Sequence, residues 1–134
     1  MMDIEQLVGQ TAARLVTIDA EMVQRFADLA GDHNPLHLDA ATAQAGRFGK
    51  PVAHGMLVAS LFSGIIGEEL PGPGAIYLSQ TIEFSRPVFV GQTVTARVVV
   101  IETDLVRRRA RLGTSVTDQD GSTCVSGEAW VLVS

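Results

Sequence analysis

An acid, an amide and a histidine lie close together in residues 31–39, which read Gly-Asp-His-Asn-Pro-Leu-His-Leu-Asp. Asp32 and His37 are a candidate acid/base pair, since carboxyl and imidazole groups are common proton-transfer groups. In an extended strand their side chains would face opposite ways, so the pair requires a turn, which Asn34-Pro35 favours. Asn34 is also a candidate to form a hydrogen bond across that turn and so to orient one member of the pair. An acid and a base are what adding water to a carbonyl-conjugated double bond requires.

The third requirement, stabilisation of negative charge on the carbonyl oxygen, points to Gly55 in the segment His54-Gly55-Met56. An apolar helix is predicted to begin there, and the first N–H groups of a helix lack intrahelical partners. Glycine allows close approach, and the helix dipole favours an oxyanion. Ser63, two helical turns further on, is a candidate substrate-binding donor. Asn34 and His54 are further substrate-binding candidates, although for His54 a structural histidine bonded to a neighbouring loop is the interpretation we favour.

In this order, Asp32, Asn34, Pro35, His37, His54-Gly55-Met56 and Ser63 resemble the signature of the (R)-specific enoyl-CoA hydratases, the MaoC-like group of hot-dog-fold proteins. The segment 85–91, Ser-Arg-Pro-Val-Phe-Val-Gly, resembles the third strand and turn of that family. The resemblance runs from about residue 15 to the C-terminus.

The resemblance implies a hot-dog fold that assembles as a homodimer or a multiple of one. Asp32 and His37 would hold the catalytic water, the Gly55 N–H would face the thioester oxygen, and Ser63 would support the site. The implied reaction is reversible hydration of trans-2-enoyl-CoA to (R)-3-hydroxyacyl-CoA, with no cofactor and no metal. Fatty-acid degradation and the supply of polyhydroxyalkanoate precursors are both open as pathways.

Other functions compete with this interpretation. A dehydratase of the same fold could act on acyl carrier protein thioesters or on branched or dicarboxylic acyl-CoA, and a non-catalytic acyl-CoA-binding protein is a rival of another class. A thioesterase would need an acid on the central helix, where only Glu68 and Glu69 are available. A metal site at His33 and His37 is rejected, because Pro35 between them disfavours the helix that would put both on one face.

The arginines offer two interpretations. Four of them, Arg107, Arg108, Arg109 and Arg111, most simply form a solvated face of a strand. Alternatively an arginine of this group, or Arg86, meets the phosphates of coenzyme A, since the guanidinium group suits phosphate recognition.

The composition limits the classes of protein to which the chain can belong. The chain has 134 residues, which predicts one domain spanning 1–134, and its net charge of −5 argues against nucleic-acid binding. A single cysteine excludes an intrachain disulfide and fits a reducing, cytoplasmic setting. The N-terminus lacks the apolar run of a secretory signal, and the apolar stretch 56–66 is too short to span a membrane.

The elements needed to position these residues follow from periodicity. A first strand over 12–18 precedes a helix that Asp19 caps and Gly31 ends, and 34–52 is predicted to be irregular. A helix over 55–70, apolar on nearly every side, is then followed by alternating strands and a hairpin turn at Asp120-Gly121. This order predicts an α+β fold with one long central helix wrapped by a curved antiparallel sheet. Because such a helix needs cover on every side, a second subunit is expected to complete it.

Overall fold

The computed structural model describes residues 3–134 and consists of short helices followed by a long run of strands. A 3-10 turn (Ile4–Leu7) leads into the first strand. The remaining elements are β1 (Thr11–Thr17), α1 (Ala20–Ala30), α2 (Pro35–Leu38), α3 (Ala40–Ala45), α4 (Gly55–Ala59), α5 (Leu61–Glu68), β2 (Ile76–Gln80), β3 (Glu83–Phe84), β4 (Thr93–Asp104), β5 (Arg109–Thr117) and β6 (Thr123–Leu132).

The strands form one antiparallel sheet in the order β1-β4-β5-β6-β2, with β3 also paired to β6. The alternating residues of β4 and β5 produce one buried face, in which Val98 and Leu112 are fully covered. Phe62, Ile65 and Ile66 of α5 belong to the same core. The predicted hot-dog architecture, in which a curved antiparallel sheet wraps a central helix, is confirmed.

The predicted boundaries of α1 are confirmed at both ends. Asp19 caps the helix by accepting a hydrogen bond from the N–H of Met22 at 2.9 Å. Gly31 ends the helix with φ of 73°, a left-handed conformation that glycine adopts without steric cost. The turn at Asp120-Gly121 also joins β5 to β6 as predicted, with Gly121 at φ of 81°.

Two segments differ from the sequence prediction. The central helix is interrupted at Ser60, whose hydroxyl donates to the Leu57 carbonyl at 2.5 Å, an i−3 bond that competes with helical pairing. Residues 34–52 were predicted to be irregular but contain α2 and α3, because Asn34 and Asp39 each cap a helix through the side chain. Pro35 does not extend α1. It begins α2 at a position where its missing N–H costs nothing.

The strand β2 lies at one edge of the sheet and differs in character from β4 and β5. Four of its five residues are exposed, including Ile76 and Leu78, so its alternation does not mark one buried face in a single chain. Within residues 3–134, none of the helices has the length and apolar character needed to cross a membrane.

Candidate active site

The loop after α1 positions Asp32, one member of the candidate acid/base pair. The N–H of Asp32 donates to the Ala27 carbonyl at 3.1 Å, which ties the start of the loop to the end of the helix. The Asp32 carboxylate accepts the N–H of Asn34 at 3.2 Å, and the Asn34 side chain accepts the N–H of Leu36 at 3.1 Å. The Asn-Pro turn is therefore built by two consecutive side-chain-to-backbone bonds, and Asn34 acts in it as the cap of α2.

His37 lies on α2 and is half-buried. Its Nδ1 lies 2.6 Å from the carbonyl oxygen of Val52. A carbonyl only accepts, so Nδ1 carries the hydrogen, and Nε2 of the neutral ring is left as an acceptor. The backbone thus fixes both the orientation and the tautomer of His37, one member of the candidate acid/base pair.

His54 lies beneath the same loop and is only 3% exposed. Its Nε2 donates to the backbone carbonyl of Asp32 at 3.0 Å. Its ring lies against His37, with 3.9 Å between the ring centroids, and against Phe26 at 4.9 Å. The Nδ1 atom is buried without a hydrogen-bond partner among the described residues. His54 therefore connects the loop that carries Asp32 to the start of α4, where it is the N-cap residue.

Gly55 is the first residue of α4, and the His54 side chain makes no capping hydrogen bond to this turn. The first-turn N–H groups therefore remain for another acceptor. A Cβ added at Gly55 would lie 2.7 Å from Cε1 of Phe84, so the close approach of this ring requires glycine. Phe84, on β3, was not singled out from the sequence, and only its place ahead of the Ser-Arg-Pro segment signals it.

One cavity of about 280 Å³ brings the candidate catalytic residues together. It is lined by Phe26, Ala30, Asp32, His37, His54, Gly55 and Met56. A larger cleft of about 660 Å³ shares Gly55 and Met56 with it and extends past Phe48 and Phe84. The larger space does not contact Asp32 or His37, so the smaller cavity is the candidate reaction site.

Ser63 and Asn34 do not line this cavity. Ser63 is exposed on α5, beside Gly64, while the Asn34 side-chain oxygen is occupied in capping α2. A substrate-binding role for either residue thus stays a prediction.

Asp32, His37 and His54 each present a possible metal ligand, and these atoms lie within 4.8 Å of one another. Zinc bonds of about 2.0–2.2 Å would hold tetrahedral ligand atoms roughly 3.4 Å apart. Ligand atoms separated by as much as 4.8 Å would therefore have to move closer together to bind zinc. If a cation took the place of water in this cavity, Asp32, His37 and His54 would hold it, and not the rejected pair His33 and His37. His33 instead contacts Asp28 through Nε2 at 2.8 Å, and this bond lowers the pKa of the Asp28 carboxyl.

Comparison with known proteins defines the class. The MaoC-like domain model matches residues 3–120, and the chain belongs to this family. It is 48% identical over 124 residues to the (R)-specific enoyl-CoA hydratase of Aeromonas caviae, covering 92% of each chain. It is 42% identical over 126 residues to the 3-hydroxybutyryl-CoA dehydratase of Methylorubrum extorquens, covering 94% of this chain and 80% of that protein.

Structure comparison agrees with the sequence comparison. The (R)-hydratase from A. caviae involved in PHA biosynthesis superimposes with a TM-score of 0.93 at 47% identity, covering 95% of this chain and 96% of that one. The hot-dog fold and the MaoC-like family are therefore established for this chain.

Proposed function

We propose that this chain is a hydro-lyase that catalyses the reversible hydration of trans-2-enoyl-CoA to (R)-3-hydroxyacyl-CoA. The observation that carries the proposal is the single cavity in which Asp32, His37 and Gly55 meet. The close likeness to proteins named for this chemistry supports it. No step of the reaction calls on a cofactor or a metal.

The mechanism follows from what each group can accept or donate. A water held between the Asp32 carboxylate and Nε2 of His37 gives a proton to Asp32, the principal base, as its oxygen bonds to C3 of the substrate. Electron density moves to the thioester oxygen, where the N–H of Gly55 stabilises it. The resulting enolate takes a proton at C2 from the acid/base pair, so the elements of one water molecule are added.

Loss of the enone absorbance of crotonyl-CoA, with chiral analysis of the product, tests the reaction. We expect (R)-3-hydroxybutyryl-CoA. Asp32→Asn and His37→Gln should each reduce turnover by at least roughly 10²-fold, the scale of general acid–base catalysis, while the fold is kept. Near-normal turnover in either variant would remove that residue from the mechanism, and an (S) product would overturn the assignment.

We also propose that two copies associate through the edge strand β2. Its backbone has one free edge in the described sheet, and its exposed apolar residues are costly to leave in water: Ile76 is 56% and Leu78 45% exposed. Pairing of β2 with β2 of a second copy would bury both features. Light scattering should give twice the 14.2 kDa mass of one chain, and Leu78→Lys should shift the mass toward a monomer. A monomeric wild-type protein would contradict this assembly.

A further inference from the structure

The larger cleft shares Gly55 and Met56 with the reaction cavity, and its lining is part apolar and part charged. Its lining includes apolar side chains, among them Val125, Phe48 and Phe84, the last of which lies against Gly55. Its exposed residues include two guanidinium groups, those of Arg47 and Arg86. The cleft therefore combines apolar walls with two exposed cations.

Many of the other cations of this chain are committed elsewhere. Arg14 pairs with Glu68 and Glu69, with nitrogen–oxygen distances of 3.0 and 2.6 Å. Arg107 pairs with Asp104, and Arg111 pairs with both Glu102 and Glu128. Arg108 donates to the Ser134 carbonyl at 3.1 Å. These contacts disfavour Arg107, Arg108 and Arg111, three of the four arginines that the sequence left open, as the phosphate-binding set. The fourth, Arg109, lines a separate surface pocket with Asp104 and Arg107 and does not line the cleft.

The guanidinium groups of Arg47 and Arg86, in contrast, make no ion pair and no hydrogen bond within residues 3–134. The backbone beside Arg86 is nevertheless fixed, because the N–H groups of Ser85 and Arg86 both donate to the Cys124 carbonyl, at 2.8 and 3.3 Å. Pro87 restricts the chain immediately after it. Arg86 is thus a free cation on a fixed segment of backbone, next to the cleft.

We propose that Arg86 and Arg47 bind the phosphate groups of coenzyme A and so make the enzyme selective for coenzyme A thioesters. The inference rests on the proposed function. In that function the thioester oxygen lies at the Gly55 N–H, which directs C2 and C3 of the acyl group toward Asp32 and His37. The sulfur and the pantetheine arm are then directed into the cleft. Arginine matches phosphate oxygens with two parallel N–H donors. Because the whole chain carries a net charge of −5, local cations are needed to attract a polyanionic substrate.

The test compares crotonyl-CoA with crotonyl-pantetheine, which has the same thioester but no phosphate. Arg86→Gln, Arg47→Gln and the double variant are measured beside Arg97→Gln, a control on the exposed side of β4 that lines neither cavity. For the double variant we expect KM for crotonyl-CoA to rise at least about tenfold, with kcat within twofold and a weaker dependence of KM on salt. Its kinetics with crotonyl-pantetheine, and both activities of Arg97→Gln, should match the wild type.

Two results would overturn the proposal: an unchanged KM for crotonyl-CoA in the double variant, or an equal loss with both thioesters. Preference of the wild-type enzyme for a crotonyl-acyl carrier protein thioester over crotonyl-CoA would also overturn it.

Calorimetric binding of free coenzyme A separates this inference from the proposed function, because binding requires no turnover. Affinity that falls at least tenfold in the double variant supports phosphate recognition even if no thioester is hydrated, in which case only the hydratase assignment fails. Equal affinity in the wild type and the double variant overturns the arginine assignment, whatever the activity.

Discussion

Replacing His54 by phenylalanine should separate the role of this residue in catalysis from its role in stability. The substitution keeps a ring between His37 and Phe26 and removes both nitrogens. Loss of the Nε2 bond to the Asp32 carbonyl costs about 1 kcal/mol, the usual net value of one hydrogen bond. Removal of Nδ1, which is buried without a partner among the described residues, should raise the free energy of unfolding by about 1–3 kcal/mol. The extra ring atom has room, because His54 borders the reaction cavity.

Together, the two contributions predict that the free energy of unfolding of His54→Phe equals that of the wild type or exceeds it by up to about 2 kcal/mol. Turnover should nevertheless fall about 10- to 100-fold, because the loop that carries Asp32 is released from the start of α4 and small misplacements of catalytic groups are costly. Urea unfolding and steady-state kinetics with crotonyl-CoA measure both quantities. His33→Gln, in the same loop but outside the cavity, is the matched control and should change neither.

A loss of more than about 2 kcal/mol in His54→Phe would refute this reasoning, since it would mean that Nδ1 has a partner, such as an ordered water, in solution. Unchanged turnover would instead show that the bond to Asp32 does not position the loop.

Three further predictions follow from the same structure. Gly55→Ala should displace the Phe84 ring and lower turnover. Adding Phe84→Ala to that variant should restore part of the lost turnover. No recovery would show that the methyl group itself blocks the oxyanion position. Although Tyr77 is 37% exposed, partial burial of its phenol raises the pKa of Tyr77 to about 12. The stability that this neutral phenol contributes is therefore present below its ordinary pKa and lost as pH rises through about 12. Since Tyr77 is the only tyrosine, its absorbance titration gives the value directly, and a native midpoint near 10 would contradict it. Burial likewise raises the pKa of the Cys124 thiol, so a disulfide reagent should modify folded protein far more slowly than unfolded protein, and equal rates would contradict this.

The fold was largely predictable because its main signals are local. Asp19 and Gly31 bound α1 by capping chemistry that needs no tertiary information, and the alternation in β4 and β5 is strong because one face of each is buried. The interruption at Ser60 was not predictable, since serine tolerates both a helix interior and a bond to an earlier carbonyl. The exposure of β2 was also missed, because its alternation resembles that of a covered strand.

The site was predictable in its residue types and less so in its contacts. The Asn34-Pro35 turn that brings Asp32 and His37 to one cavity follows from local preferences. The stacking of His54 on His37 and the position of Phe84 over Gly55 depend on how distant segments meet, which spacing along the chain does not encode.

The two backbone carbonyls that hold the histidines also determine what kind of nucleophile the cavity can orient. Val52 and Asp32 each take up one ring hydrogen, so neutral His37 and His54 keep only lone pairs for other partners. Because Nδ1 of His54 is buried, the two acceptors that face the nucleophile are Nε2 of His37 and the Asp32 carboxylate. A water molecule has two hydrogens to give to such a set, and giving both directs its oxygen lone pairs toward the substrate. An alcohol has a single O–H and would leave one acceptor unsatisfied, so in the proposed mechanism the backbone that fixes these rings favours water over an alcohol as the nucleophile.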